Sequence, residues 1–143
     1  MERRTRRSLL FGPLPIRVMI GTAFILHGYS KITDIAGTEG FLVQVGLPTA
    51  LATPVALLEF IGGIVLILGI LTRIAAGLFV IQMAAITLTI KLSKGFIGGF
   101  EIDLLFLAGA ASLFITGPGR ISIEWNVIKR EIFPYGKKLV ASA

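Results

Sequence analysis

Residues 53–91 read TPVALLEFIGGIVLILGILTRIAAGLFVIQMAAITLTIK, two apolar runs with the pair Thr72-Arg73 between them. Each run comes close to the roughly 17 to 25 residues that a helix needs to span a bilayer. Thr72-Arg73 is too short for anything except a tight hairpin, so the spacing predicts antiparallel neighbouring helices over 53–71 and 74–91. Hydropathy adds one segment on each side, at about 15–30 and 100–116. The expected fold is an all-α integral membrane protein, a four-transmembrane-helix bundle.

Composition points the same way. The 143-residue chain is 55% hydrophobic and 15% charged, against roughly 25% charged in soluble domains, and its mean hydropathy is +0.88. Four spans leave no room for a soluble domain. A single membrane domain is expected over 1–143, with a basic cytoplasmic tail at 1–13, the bundle at 14–119 and an amphipathic cytoplasmic tail at 120–143.

A net charge of +6 would suit nucleic acid if the basic residues covered a solvated face. Instead they gather on one side of the spans. Arg3, Arg4, Arg6, Arg7, Arg17, Arg73, Arg120, Lys129, Arg130, Lys137 and Lys138 fall there, against Lys31, Lys91 and Lys94 on the other side. This positive-inside bias predicts both termini in the cytoplasm of a multi-pass cell-membrane protein, with anionic lipid headgroups as partners and no nucleic acid. The run Arg3-Arg4-Thr5-Arg6-Arg7 resembles a twin-arginine export signal. Arg17 interrupts the apolar run that follows, and no small-residue cleavage site closes it, so a retained anchor is the reading. Cysteine is absent, which removes disulfides, thiolate metal sites and dithiol chemistry by this chain.

Between the first two spans, Asp34, Gly37, Gly40, Gly46 and Pro48 mark a long external loop. Phe41, Leu42, Val45 and Leu47 suggest a short helix within it, capping the bundle. Gly21 and Gly28 share one helix face and invite a close neighbour, as do Gly62 and Gly63 after Glu59. Gln82 shares a stripe with Ala75, Ala85 and Thr89 that should face protein, since a glutamine amide in lipid lacks partners. Beyond Gly117-Pro118-Gly119, the residues Ile121, Trp125, Ile128 and Ile132 recur at helical spacing opposite Glu124, Lys129 and Arg130, the pattern of an interfacial amphipathic helix. Arg17 is expected to snorkel to the cytoplasmic headgroups, and Arg73 to anchor the hairpin.

The ionisable residues His27, Lys31, Glu59, Glu101 and Asp103 all fall toward the outer ends of their segments. Such groups are costly in hydrocarbon and normally face a bundle interior or a polar cavity. His27 and Lys31 lie one turn apart. They are expected to meet Glu59, Glu101 and Lys91 in one pocket, with Gln82 nearby, and Lys31 or His27 balancing Glu59 and Glu101. Asp103, two residues from Glu101, is expected to point elsewhere; either acid also suits a helix N-terminus. One reading of this cluster is interhelical glue. The other is a site for the polar head of a lipophilic ligand that exchanges protons. Quinone reduction takes up two protons with two electrons, so Glu59 and His27 are the candidate catalytic proton carriers, and His27, Lys31, Glu59, Glu101 and Gln82 the candidate ligand-binding residues. Tyr29 reads rather as an interfacial anchor.

A lone histidine cannot ligate haem twice, and the Glu-x-x-His motif of helical di-iron sites is missing, so no metal centre is expected. A mixed site from His27, Glu59 and Glu101 is the one metal arrangement left open. There is no phosphate loop, nucleophile triad or dinucleotide fingerprint. Electrons would therefore come from a partner subunit, and the cofactor in view is a non-covalently bound quinone.

The strings His27-Gly28-Tyr29-Ser30-Lys31, Gly46-Leu47-Pro48, Glu59-Phe60-Ile61-Gly62-Gly63, Leu68-Gly69-Ile70-Leu71-Thr72-Arg73, Gly98-Gly99-Phe100-Glu101 and Gly117-Pro118-Gly119 follow one another in this order. Through their order and spacing, from about Arg17 to Glu124, the chain resembles the DoxX family of small four-helix membrane proteins. The resemblance implies the four-helix architecture. Relatives include the membrane subunit of an archaeal thiosulfate:quinone oxidoreductase, and others are associated with membrane complexes handling oxidative stress. It therefore implies a membrane subunit of a redox system with other membrane or peripheral redox subunits, or further copies of itself, as partners. Two other classes stay open: a non-catalytic structural or assembly subunit, and, ranked last, a small-solute carrier, for which no inverted repeat or charged cytoplasmic vestibule is visible.

Overall fold

Pro13 and Pro15 open the first helix, where a missing amide donor does least harm, and helix α1 runs Pro13–Thr33. The structure is a computed structural model that describes residues 11–129, and every regular element among them is helical. Asp34 ends α1 and at once begins α2, Ile35–Gln44, because its side chain accepts a 2.9 Å hydrogen bond from the Gly37 amide. That is N-capping by an aspartate. Most of the expected loop is therefore helix, with Gly37 and Gly40 inside it.

After a single turn at Thr49–Leu51 come α3, Ala52–Leu68, and α4, Thr72–Ile86. A wide π-turn, Thr87–Lys91, and a tight turn, Leu92–Lys94, prolong α4. The glycine-rich turn Phe96–Phe100 leads into α5, Glu101–Thr116. Together with their flanking turns, Thr49–Leu68, Thr72–Lys94 and Phe96–Thr116 are long and apolar enough to cross a membrane. Helix α1, with 21 residues, is of similar length but carries Arg17, His27 and Lys31.

Helices α1 and α3 pack antiparallel and very closely. A Cβ added at Gly28 would collide with the Phe60 amide nitrogen and sit 2.7 Å from its Cα, and one at Gly21 would sit 2.8 Å from the Gly63 carbonyl. Small residues allow backbones to approach in this way. Gly63 thus faces α1, whereas Gly62 faces α4, where it receives the Phe79 ring. Phe79 stacks on Phe24 with ring centroids 3.7 Å apart, and Phe24 tilts against Phe106 at 5.7 Å. With Ile20, Leu66, Met83 and Leu113, these rings fill the middle of the bundle.

The buried face of α4 runs Thr72, Ala75, Ala76, Phe79 and Met83. Ala85 and Thr89 are exposed and Gln82 lies at the border, so the expected Ala75–Gln82–Ala85–Thr89 stripe is corrected. The large apolar side chains Phe79 and Met83 set the orientation instead, since they bury more surface than alanines do.

The α3–α4 connection also differs. Gly69, at φ 68°, stops α3 with its amide donating to Leu66 and Val65, a glycine C-cap. The turn is Gly69–Leu71, and Thr72-Arg73 already belongs to α4. Leu71 adopts a left-handed φ of 51°, which costs a side-chain-bearing residue about 1 kcal/mol. Across it, the Glu124 carboxylate accepts from the Thr72 amide, and the Glu124 amide donates to the Gly69 carbonyl.

Arg17 does not snorkel to headgroups. It is buried, and its guanidinium donates to the carbonyls of Leu66 at 2.9 Å, Ile67 at 2.7 Å, Ile121 at 2.7 Å and Pro118. Carbonyls left free at the end of α3 and in the turns after α5 need donors, and the planar fork of an arginine supplies several at once. Glu124 lies within electrostatic reach and is buried too, where an outward polar face was expected. Of the expected C-terminal amphipathic helix residues 120–129 lie within the described residues, and Glu124–Ile128 forms a helical turn there. Ile132, Arg130 and the rest of 130–143, like the basic run of 1–10, lie outside them.

Candidate functional site

The other end of the bundle carries the polar cluster. Glu59, on α3 one turn before Gly62-Gly63, is almost fully buried, and both of its oxygens are engaged. The Lys31 ammonium from α1 pairs with Oε2, and the Gln82 amide from α4 donates to Oε1. Three helices meet at one carboxylate. The Gln82 amide nitrogen thereby finds an acceptor inside the protein, while its Oε1 is buried without a hydrogen-bond partner among the described residues.

A second pair stands beside it. Lys91 places its ammonium 3.0 and 2.8 Å from the two oxygens of Asp103. The π-turn at Thr87–Lys91 inserts an extra residue into the last turn of α4, which re-aims Lys91 toward α5; such turns recur at functional sites. Asp103 is buried and faces inward, which corrects the expectation that it points elsewhere. Glu101 is the acid that turns away. Its Oε1 accepts from the Gly98 amide, 3.1 Å distant, and steadies the turn before α5. The two acids do diverge, as two residues' separation on a helix demands, but with the roles exchanged.

Between the two pairs lies a cavity of about 420 Å³. Phe24, Met83, Ile86 and Phe106 make it apolar below, and His27, Lys31, Glu59, Lys91 and Asp103 make it polar above, with Phe41 of α2 and Gly98-Gly99 over the top. Apolar walls with a few convergent polar groups are the usual form of a small-molecule site, and the volume is within the usual range. His27 lines the cavity, is exposed, and has no hydrogen bond to another described residue. Tyr29 is exposed and outside the cavity. Among the described residues no three histidine, aspartate or glutamate side chains are grouped so as to hold a metal ion.

Of the sequence-expected site residues, His27, Lys31 and Glu59 come together, Gln82 supports Glu59 from behind, and Glu101 stays apart. Asp103 was missed. Its signal was present, since an acid three residues into an apolar helix next to a lysine-ended neighbour needs a cation.

This arrangement can be compared with known proteins. The DoxX family profile matches residues 12–92, which contain Arg17, His27, Lys31, Glu59, Gln82 and Lys91.

The chain belongs to the DoxX family.

Among its DoxX-type relatives, a protein of Bacillus subtilis (strain 168) named "Putative oxidoreductase CatD" is 35% identical over 123 residues, covering 86% of this chain and 92% of the relative. The "Inner membrane protein YqjF" of Escherichia coli (strain K12) is 36% identical over 118 residues, covering 79% and 89%. A third relative, the membrane protein Rv3486 of Mycobacterium tuberculosis, is 33% identical over 132 residues, with 80% of each chain covered. No solved structure matches significantly. This DoxX protein is thus membrane-embedded, and among the described residues three helices are long and apolar enough to cross a membrane.

Proposed function

We propose that the protein is the membrane subunit of a redox system and holds the head of a quinone in the cavity between the two ion pairs. The observation that carries this reading is the cavity itself, apolar below and bounded above by two carboxylate–ammonium pairs and a histidine. Its size suits a six-membered ring with two opposed carbonyls. A relative's name as an oxidoreductase supports the class of chemistry. In this reading α1, α3, α4 and α5 all cross the bilayer, both termini are cytoplasmic by the positive-inside bias, and the cavity opens on the outer side of the cell membrane.

A bound quinone supplies a two-electron, two-proton couple, with the electrons drawn from a partner subunit. The residues of this chain do the rest. His27, with both ring nitrogens available, donates to a carbonyl or relays a proton. Glu59 holds or releases a proton at Oε2, with Lys31 stabilising the anion and Gln82 fixing the carboxylate plane. Lys91 and Asp103 form the opposite wall. The apolar floor excludes bulk water.

The test is native mass spectrometry of the protein extracted from its own membrane in mild detergent. A retained quinone-sized adduct, lost in Glu59→Gln and His27→Ala variants that still fold, is the expected result. Quinone-linked turnover unaltered in Glu59→Gln would remove Glu59 from the mechanism. A second reading, a non-catalytic assembly subunit, is favoured by one observation: both carboxylates of the cavity already have lysine partners and need no ligand. A stoichiometric protein partner without any adduct would select it.

A further inference from the structure

The cavity has one side on which no ion pair closes it. Glu59, Phe24, Met83 and Asp103 line it and are buried, whereas His27, Phe41, Gly98 and Ile102 line it and are exposed, Ile102 by 57%. Residues that both line a cavity and lie at the surface mark its mouth. His27 belongs to α1 and Ile102 to the first turn of α5, so one mouth lies between these two helices, below Phe41 of α2 and Gly98, which stand exposed over the cavity.

The reason is in the packing. Lower down, α1 and α5 touch, with Ile20 seated on Gly109, where an added Cβ would stand 2.5 Å from Ile20 Cδ1, and with Phe24 against Phe106. Higher up, each helix is tied to its other neighbour. Helix α1 is held to α3 by Gly28 against Phe60 and by Lys31–Glu59, and α5 is held to the end of α4 by Lys91–Asp103.

We infer that this mouth is a lateral port, through which the cavity is loaded from the lipid by an amphiphile with an uncharged polar head whose tail stays between α1 and α5. The inference rests on reading the cavity as a ligand site. Leu26 on α1 and Leu105 on α5, 63% and 73% exposed, stand on these two helices beside the mouth-lining residues. Apolar side chains so exposed are covered by lipid in a membrane protein. The mouth therefore faces acyl chains. The stacked rings of Phe24 and Phe79, with Phe106 tilted against Phe24, close the inner end, so a tail has no course downward through the bundle. The charges of Lys31 and Glu59 cancel, as do those of Lys91 and Asp103. A further full charge would be desolvated without a partner, which is strongly unfavourable, whereas carbonyl, ether or hydroxyl groups can bond to the ammonium and imidazole donors.

The experiment uses the full chain in lipid nanodiscs and three probes: a decyl-tailed benzoquinone in the bilayer, its tail-less analogue in water, and a fatty acid of matching tail length. Ile102→Trp should slow loading of the tailed quinone roughly tenfold and slow the tail-less analogue far less. Leu105→Trp, beside the mouth but outside the cavity, should alter neither. The fatty acid should not displace the quinone. Equal effects of Ile102→Trp on both quinones, or no effect on either, would overturn the lateral port with ligand binding intact. Displacement by the fatty acid would overturn the uncharged head. If wild-type protein binds none of the probes, the ligand-site reading itself falls, and the port with it.

Discussion

The Lys31 ammonium reaches from α1 to the Glu59 carboxylate on α3, joining a cation whose side chain is 29% exposed to an anion whose side chain is 2% exposed. The two partners are therefore not equivalent. Removing Lys31 strands a buried charge with only Gln82 beside it. Lys31→Met should cost on the order of 3 kcal/mol. Neutralising the acid leaves a lysine that can turn to water, so Glu59→Gln should cost only about 1 kcal/mol. The double variant should be more stable than Lys31→Met alone. Thermal unfolding in detergent checks the order of the three.

Gly28 and Gly40 make opposite predictions for the same change. A Cβ at Gly28 meets the Phe60 backbone, while one at Gly40 meets nothing within 4 Å. Gly28→Ala should part α1 from α3 and cost about 1 to 3 kcal/mol or more. Gly40→Ala, in the middle of α2, should be neutral or stabilise by up to about 1 kcal/mol through helix propensity. Melting temperatures of the two variants side by side decide this.

Arg17 should be the least replaceable charged residue in the described chain. Arg17→Met leaves the carbonyls at the end of α3 and in the Pro118–Ile121 turns without these donors and removes one positive charge near Glu124, for a loss of about 3 to 5 kcal/mol. Arg17→Lys should recover only part of this, because one ammonium cannot span the set that the planar fork reaches. Limited proteolysis at the Gly117-Pro118-Gly119 turn, together with thermal unfolding, would read both. A lysine variant as stable as wild type would refute the bonding described.

Asp103→Asn separates site from scaffold. Its partner Lys91 is about one-third exposed, so the lost ion pair should cost under about 1 kcal/mol. If the pair forms a wall of the quinone site, occupancy should fall roughly tenfold, the equivalent of one charge-assisted hydrogen bond. Native mass spectrometry of bound quinone gives the answer.

Hydropathy and breakers located the long helices to within a few residues, and the glycine spacing in α1 marked the face that meets α3. Arg73 behaves as expected of an end anchor, donating to the Phe114 and Ile115 carbonyls at 2.6 and 2.8 Å. What stayed hidden depends on partners far along the chain. The Arg17 acceptors lie 49 to 104 residues away, so local pattern gave only the general behaviour of an arginine near a helix end. The inward turn of Lys91 depends on a single extra residue in a helical turn, and periodic spacing assumes that no such residue exists. Asp34 counted as a breaker because it ends one helix; the same carboxylate starts the next. Of the site, the chemistry-bearing side chains were legible through their cost in lipid. The pairing between them needed three dimensions.

Arg17 is also a matter of order in time. It is among the first residues of α1 to leave the ribosome, yet two of its acceptors, Pro118 and Ile121, lie 101 and 104 residues later. Until they emerge, this guanidinium has at most part of its final set of acceptors, and an unsatisfied charge cannot be sealed into an apolar interior. The first helix is accordingly completed by the turns that follow α5, and a chain cut short before Pro118 carries an open charge at the seam. Completeness of synthesis is thus written into the bundle as a condition for closing it.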